Sequence, residues 1–203
     1  MASRLVEQAP PVSGRLGEVE THRLRLSPVT PASVDDLEPV FAKPEVWRFP
    51  YGRGRDRAET EVFVASQVEH WAVLGFGLWT LSEHGSDKVL GYAGLAVPTF
   101  LPEALPAVEV GWRLDPDVWG RGYATEAGTA ALEAAFGVLG LGEVLSLPQT
   151  ANYASVKVAR RLGMRERGTA VVPPAPPRGS LEVAVMVMTK QDWEQQLALP
   201  KER

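Results

Sequence analysis

The stretch Glu109-Val110-Gly111-Trp112-Arg113-Leu114-Asp115-Pro116-Asp117-Val118-Trp119-Gly120-Arg121-Gly122-Tyr123-Ala124-Thr125-Glu126-Ala127 decides how the chain folds. It reads as a strand, a proline turn, a loop with two glycines and the start of a helix. The first four amides of a helix have no partner inside it. Together with the positive end of the helix dipole they form an anion site, provided the backbone can come close to the anion. Gly120 and Gly122 allow that approach and the left-handed conformations that such a nest needs. Arg121 adds a candidate charge-assisted contact.

On the N-terminal side of this stretch, residues 76–81, 89–97 and 107–114 are strand-like runs. Turns at 84–87 and 98–106 separate them, which predicts an antiparallel meander. Earlier still, the alternation in 21–26 predicts a half-buried strand. Ser33 as cap, with Val34, Leu37, Val40 and Phe41 behind it, predicts a helix closed by Pro44. Residues 56–74 predict a second helix, ended by Gly75 and Gly77.

On the C-terminal side, Ala127, Ala131, Ala135 and Leu139 stand four apart and place a helix over 124–139. A short strand at 144–147, a helix over 155–162 ended by Gly163, and a strand at 181–188 buried on both faces complete the order, with a weak strand at 169–172. The run Pro173-Pro174-Ala175-Pro176-Pro177 reads as a stiff surface loop. The first 20 residues, with Pro10-Pro11 and scattered glycine, read as a flexible extension. One mixed α/β domain over 21–203 is therefore expected.

Composition narrows the chemistry. The chain has 203 residues and a net charge of −4, with no basic run, which argues against a nucleic-acid partner. It has no cysteine, so disulfides, thiolate metal sites and cysteine nucleophiles are excluded. The longest uncharged stretch, 89–102, falls short of the ~20 apolar residues a bilayer span needs, and the first residues show no leader pattern. A cytoplasmic protein with no membrane partner is the expectation. His22, His70 and His84 lack metal-ligand spacing, and no metal site is expected. Gly120, Gly122 and Glu143 echo part of a dinucleotide fingerprint. However, its third glycine is Thr125 here, and the site follows an antiparallel meander rather than an opening parallel unit.

The segment 119–127 (Trp-Gly-Arg-Gly-Tyr-Ala-Thr-Glu-Ala), preceded by Glu-Val-Gly-Trp-Arg-Leu-Asp-Pro at 109–116, resembles the coenzyme A loop of the GNAT N-acetyltransferase superfamily. It looks most like the branch of the ribosomal-protein N-terminal acetyltransferases. Thr-His-Arg-Leu-Arg-Leu at 21–26, Asn152-Tyr-Ala-Ser155 followed by Arg161-Leu-Gly163-Met164, and the closing strand ending at Met188 with Asp192-Trp193 beyond it match at suitable intervals. The resemblance spans about residues 20–193 and implies a GNAT-like, centrally splayed β-sheet flanked by helices.

It also implies a reaction, in which an amine attacks the thioester of acetyl-CoA directly. The pantetheine would lie along Gly111, Trp112, Arg113 and Leu114. The diphosphate would sit on the amides of Gly120, Arg121, Gly122, Tyr123, Ala124 and Thr125, beside Trp119, whose ring is expected to serve packing. Asn152 would bind a pantetheine amide.

An amine attacks only when neutral, and alkylamines are mostly protonated at pH 7. A base near the thioester therefore helps. Glu109 is the first candidate, since it points to the strand face opposite Val108 and Val110 and burial would raise its pKa. Glu182 is the second. The tyrosine acid of many superfamily members, seven residues after the asparagine, is Ala159 here. Ser155 is thus a candidate for protonating the departing thiolate, although capping its helix is the favoured use. Lys157, Arg160 and Arg161 suit the end of that helix and offer a contact for the 3′-phosphate.

The acceptor, a small-molecule amine or a protein N-terminus, is expected at the aromatic and basic loop 47–55. A homodimer through apolar residues of 98–106 is a further expectation. The alternative to catalysis is a silent acyl-CoA-binding module.

Overall fold

The computed structural model describes residues 2–175 and 179–198. The last residues of the expected domain, 199–203, and Pro176 and Pro177 of the proline run lie outside the described residues.

Helix α1 (Ala2–Gln8) and a two-residue strand β1 (Val19–Glu20) occupy the segment expected as a flexible extension. That expectation is corrected by packing. Ala9, Val12, Leu16 and Val19 lie against the main core, Ser13 N–H donates to Leu139 O, and the Trp79 indole donates to Gly17 O at 2.8 Å. Apolar residues spaced too irregularly for either period had hidden this.

Strand β2 (Leu24–Pro28) leads to helices α2 (Ser33–Phe41) and α3 (Arg57–Leu74). Ser33 does not cap α2; its buried hydroxyl accepts from Thr30 N–H. Asp56 and Glu59 form a capping box on α3, and Gly75 ends that helix in the left-handed region at φ +76°.

The meander follows as expected, with β3 (Leu78–Glu83), β4 (Val89–Ala96) and β5 (Glu109–Leu114) pairing antiparallel. Helix α4 (Tyr123–Glu133) runs on into one π-helical turn, so the single helix expected to reach residue 139 loosens at Ala134. Strand β6 (Glu143–Ser146), helix α5 (Tyr153–Arg161), strand β7 (Arg165–Val172), strand β8 (Leu181–Thr189) and helix α6 (Lys190–Ala198) complete the chain. β7 is a full strand rather than a weak one, and α6 extends a segment read only as the tail of the last strand.

The sheet order is β1-β2-β3-β4-β5-β6-β8-β7. One face carries α4, α5 and α6 over Val110, Leu114 and Met186; the other carries α2 and α3 over Leu78 and Tyr92. The result is the mixed α/β, helix-flanked sheet that was expected. Loop 98–106 departs from expectation, because Leu101 is fully buried and Leu105 packs on the core. Only Phe100 of its large apolar side chains is exposed, and that ring borders the cavity described next.

Candidate active site

The site begins where the sheet opens. β5 and β6 are parallel neighbours, but their register consists of the single pair Glu109↔Leu145, with Leu145 N–H donating to Val108 O at 2.9 Å. Beyond that rung the strands part. Main-chain groups alternate sides along a strand. Asp115 N–H donates to Leu90 O on β4, so Gly111 and Arg113 also turn their main-chain groups to β4. Those of Val110, Trp112 and Leu114 face the gap. Leu114 O is taken by the Trp119 indole N–H at 2.8 Å. An open strand edge centred on Trp112 remains, so of the four residues 111–114 it is Trp112 and Leu114 that offer main-chain groups to a ligand. Gly111 contributes space: a Cβ there would meet nothing within 4 Å.

This edge lines a cavity of about 1250 Å³ that runs from the glycine loop to the loop 47–55. At one end Gly120 (φ +78°) and Gly122 (φ +84°) are both left-handed, and Gly122 is the N-cap of α4 with no side chain to satisfy the helix. Among the described residues the amides from Gly120 to Thr125 find no acceptor; the first that does is Glu126 N–H, to Gly122 O. Tyr123 turns its side chain away, its hydroxyl donating to Glu83, so only its amide faces the cavity end. Arg121 is exposed and does not border the cavity, although its carbonyl accepts from Arg23.

Arg23, which the sequence reading passed over, borders the cavity here. Its Nε donates to Glu126 at 2.6 Å, and its main-chain N–H donates to the same carboxylate, as does the Thr21 hydroxyl. An acid in the first turn of an anion-binding helix repels the anion unless it is neutralised. Glu126 was therefore the signal for a nearby cation.

Glu109, the first residue of β5, borders the cavity. Burial without a neighbouring cation pushes its carboxyl up to about 8. Glu182, the second candidate, is exposed, accepts from the Thr150 hydroxyl at 3.0 Å and lies outside the cavity.

Asn152 is the N-cap of α5, its side-chain oxygen accepting from Ser155 N–H at 3.2 Å. The capping role expected of Ser155 thus belongs to Asn152. The Asn152 amide NH2 remains to donate toward the cavity, and the Ser155 hydroxyl, also on the cavity wall, is bound to no other side chain. Ala159 is fully buried in the core, and Tyr153 is exposed away from the cavity. Lys157 and Arg161, one turn apart on α5, border the cavity, whereas Arg160 is paired to Glu166 at 2.9 Å. The Trp119 ring is half exposed on the cavity wall, not packed in the core as expected.

The far end is built from side chains. Trp47, Tyr51, Tyr92 and Phe100 line it with Arg48, Arg55 and Arg113. Arg113 Nη1 donates to Val46 O and to Phe49 O (2.9 Å), tying the loop to β5. The loop 47–55 singled out in the sequence therefore does reach the cavity.

The histidines stay structural. His70 is buried, accepting from Val97 N–H on Nε2 and donating from Nδ1 to Phe76 O, a tautomer assigned from these partners. Burial holds its pKa below the ordinary value. Among the described residues no cluster of His, Asp and Glu is arranged to hold a metal ion, and no helix is long and apolar enough to cross a membrane.

With this geometry in view, the chain can be compared with known proteins. The acetyltransferase (GNAT) domain profile matches residues 23–165. The FsC-acetyl coenzyme A-N(2)-transacetylase of Aspergillus fumigatus is 30% identical over 190 residues, 86% of this chain and 77% of that protein. The structure of a GNAT-family acetyltransferase from Bacillus anthracis superposes with a TM-score of 0.69 at 17% identity, covering 86% of this chain and 99% of that one. A coenzyme A complex of RimL, a ribosomal L7/L12 alpha-N-protein acetyltransferase, superposes with a TM-score of 0.68 at 16% identity, covering 85% and 97%. At those identities the structures speak for the fold.

Proposed function

Since the chain belongs to the GNAT acetyltransferase family, we propose that it moves an acyl group, acetyl in the first instance, from coenzyme A to a primary amine, with Glu109 as the base. The observation that carries this reading is the open edge of β5 running between an unsatisfied helix N-terminus and a buried carboxyl.

In this reading the diphosphate rests on the amides of residues 120–125, and Lys157 and Arg161 face the 3′-phosphate. The pantetheine lies along Trp112 as an extra strand, and the Asn152 NH2 donates to one of its carbonyls. The thioester then comes to rest beside Glu109. Ionised Glu109 takes a proton from the ammonium, directly or through one water. The neutral nitrogen attacks the thioester carbonyl, the C–N bond forms, the C–S bond breaks with its electron pair leaving on sulfur, and the nitrogen sheds its second proton to solvent to give the neutral amide. Ser155 on the cavity wall is one source of a proton for the thiolate, but a thiol pKa near ~8.5 makes sulfur a tolerable leaving group without one.

The test is thiol release followed with DTNB, using acetyl-CoA and a panel of amines. The protein adds no background because it contains no cysteine. Acceptor-dependent release supports transfer. Tight coenzyme binding with no release across a broad panel makes the chain a silent binding module. Binding of neither coenzyme A nor its acyl derivatives in calorimetry overturns the site altogether.

A further inference from the structure

The acceptor end of the cavity holds positive charge that no carboxylate answers. Three arginines follow one another at every second position into α3, and they are treated differently. Arg53 is paired to Glu59 at 2.5 Å, and Arg57 is paired to Asp35, Glu38 and Glu61. Arg55, between them, lies half-buried on the cavity wall and makes no ion pair among the described residues.

Its guanidinium stacks on aromatic faces instead, 3.6 Å from the Trp47 ring centre, 5.3 Å from that of Tyr51 and 5.6 Å from that of Phe63. Rings offset part of the lost hydration of a cation. They do not accept the planar fork of N–H donors that a guanidinium presents. Desolvation accordingly holds the Arg55 pKa below the ordinary arginine value.

Arg113 repeats the pattern on the Trp47 ring. It lies 3.9 Å from the Trp47 ring centre and donates to two carbonyls and to the Tyr92 hydroxyl, leaving Nη2 unmatched and no ion pair among the described residues. The Trp47 indole N–H in the same wall is also buried without an acceptor. The acids that border the cavity do not compensate. Glu126 is bound to Arg23, Glu109 is four residues from Arg113 along β5, and Glu45 is exposed on the loop itself.

A half-buried cation with no fixed counter-charge, hydrogen-bonded at most to the Tyr51 hydroxyl, is costly to keep unless a ligand supplies the charge. We infer that the acceptor is an amine that also carries a carboxylate, which Arg55 and Arg113 hold while the amine is presented to Glu109. The part concerning the amine rests on the acyl-transfer reading; the part concerning the carboxylate rests on the guanidiniums alone.

The experiment uses matched pairs of acceptors that differ only in carboxylate against carboxamide. One arm contains free amino acids with their amides. The other contains amidated short peptides bearing Asp or Glu against Asn or Gln. Each is measured twice, by thiol release from acetyl-CoA and by calorimetric binding to the coenzyme A complex. The carboxylate form is expected to lead by about tenfold or more in kcat/KM or in Kd, in one arm at least. In Arg55→Gln that ratio should fall to within about twofold of unity, and Arg55→Lys should restore part of it.

Acids and amides that perform alike in both measurements overturn the inference, and if the amides are turned over the transfer reading survives it. Acids that bind preferentially without any thiol release leave the carboxylate site standing and remove the transfer reading. A preference that persists in Arg55→Gln and in Arg113→Gln also overturns the assignment. Should Arg55→Gln fail to bind coenzyme A, the wild-type ratio and Arg113→Gln decide.

Discussion

At the glycine-loop end of the cavity the open groups are mostly main-chain: the amides of 120–125 and the edge of β5 at Trp112. At the far end, proposed for the acceptor, they are rings and guanidiniums drawn from the loop 47–55, from β4 and from β5. The difference teaches where each kind of recognition leaves its mark. A main-chain site needs only that certain side chains be missing, and it appears in a sequence as glycine at fixed spacing. A side-chain site needs residues distant in the chain to converge, and no local pattern announces it.

The sharpest way to break the comparison is at Glu109. Glu109→Gln should lower kcat by about 10²-fold or more with coenzyme A affinity nearly unchanged. In the wild type the rate should rise with pH through a group near 8, and that limb should vanish in the variant. An unchanged pH–rate profile would move the base elsewhere.

Next in size is the glycine turn. Gly122→Val places a β-branched residue at φ +84°, with its Cβ 3.4 Å from the Arg23 guanidinium, and should weaken coenzyme A by about 10- to 100-fold in calorimetry. A normal Kd would show that the diphosphate does not rest there.

Burial of Glu109 also predicts a stability effect. Its proton is held more tightly in the folded chain, with a pKa about 8 against 4.5. Folding stability should therefore fall as pH rises from about 4.5 to 8 and level off above. Glu109→Gln should escape that fall and melt a few degrees higher than wild type at pH 8.5 but not at pH 4, a gain of roughly 1–4 kcal/mol.

Smaller effects separate the two jobs of Asn152. Asn152→Ala loses the cap and should cost about 1 kcal/mol in denaturant unfolding. Asn152→Asp keeps an oxygen for Ser155 N–H and should recover that stability while still binding acetyl-CoA more weakly. Smallest of all, Lys157→Gln should narrow the preference for coenzyme A over its 3′-dephospho form by only a few-fold, and less at high salt.

These expectations also show what could be read in advance. The meander, the glycine turn and Glu109 were legible because each rests on short-range pattern: alternation, a glycine pair, an acid between two valines. Asn152 was found, but not the division of its two polar atoms between helix and cavity, which depends on the cap geometry of α5. Arg23 has no place in the expected site, and Arg55 enters it only as one member of the loop 47–55, because their contacts exist only after folding. One is set by Glu126, 103 residues away, and the other by rings on the loop and on α3. The segment 9–19 was misread because its apolar residues match the shape of a finished surface and not the period of any element.

The solitary rung between β5 and β6 has a further consequence. With one rung in place of a ladder, the meander is joined to the trio β6, β8 and β7 within the sheet at a single pair, and side-chain packing carries the rest of the join. A coenzyme lying in the cleft would act as mortar between them. Amide exchange on either bank should slow together when it binds, even in residues it never touches.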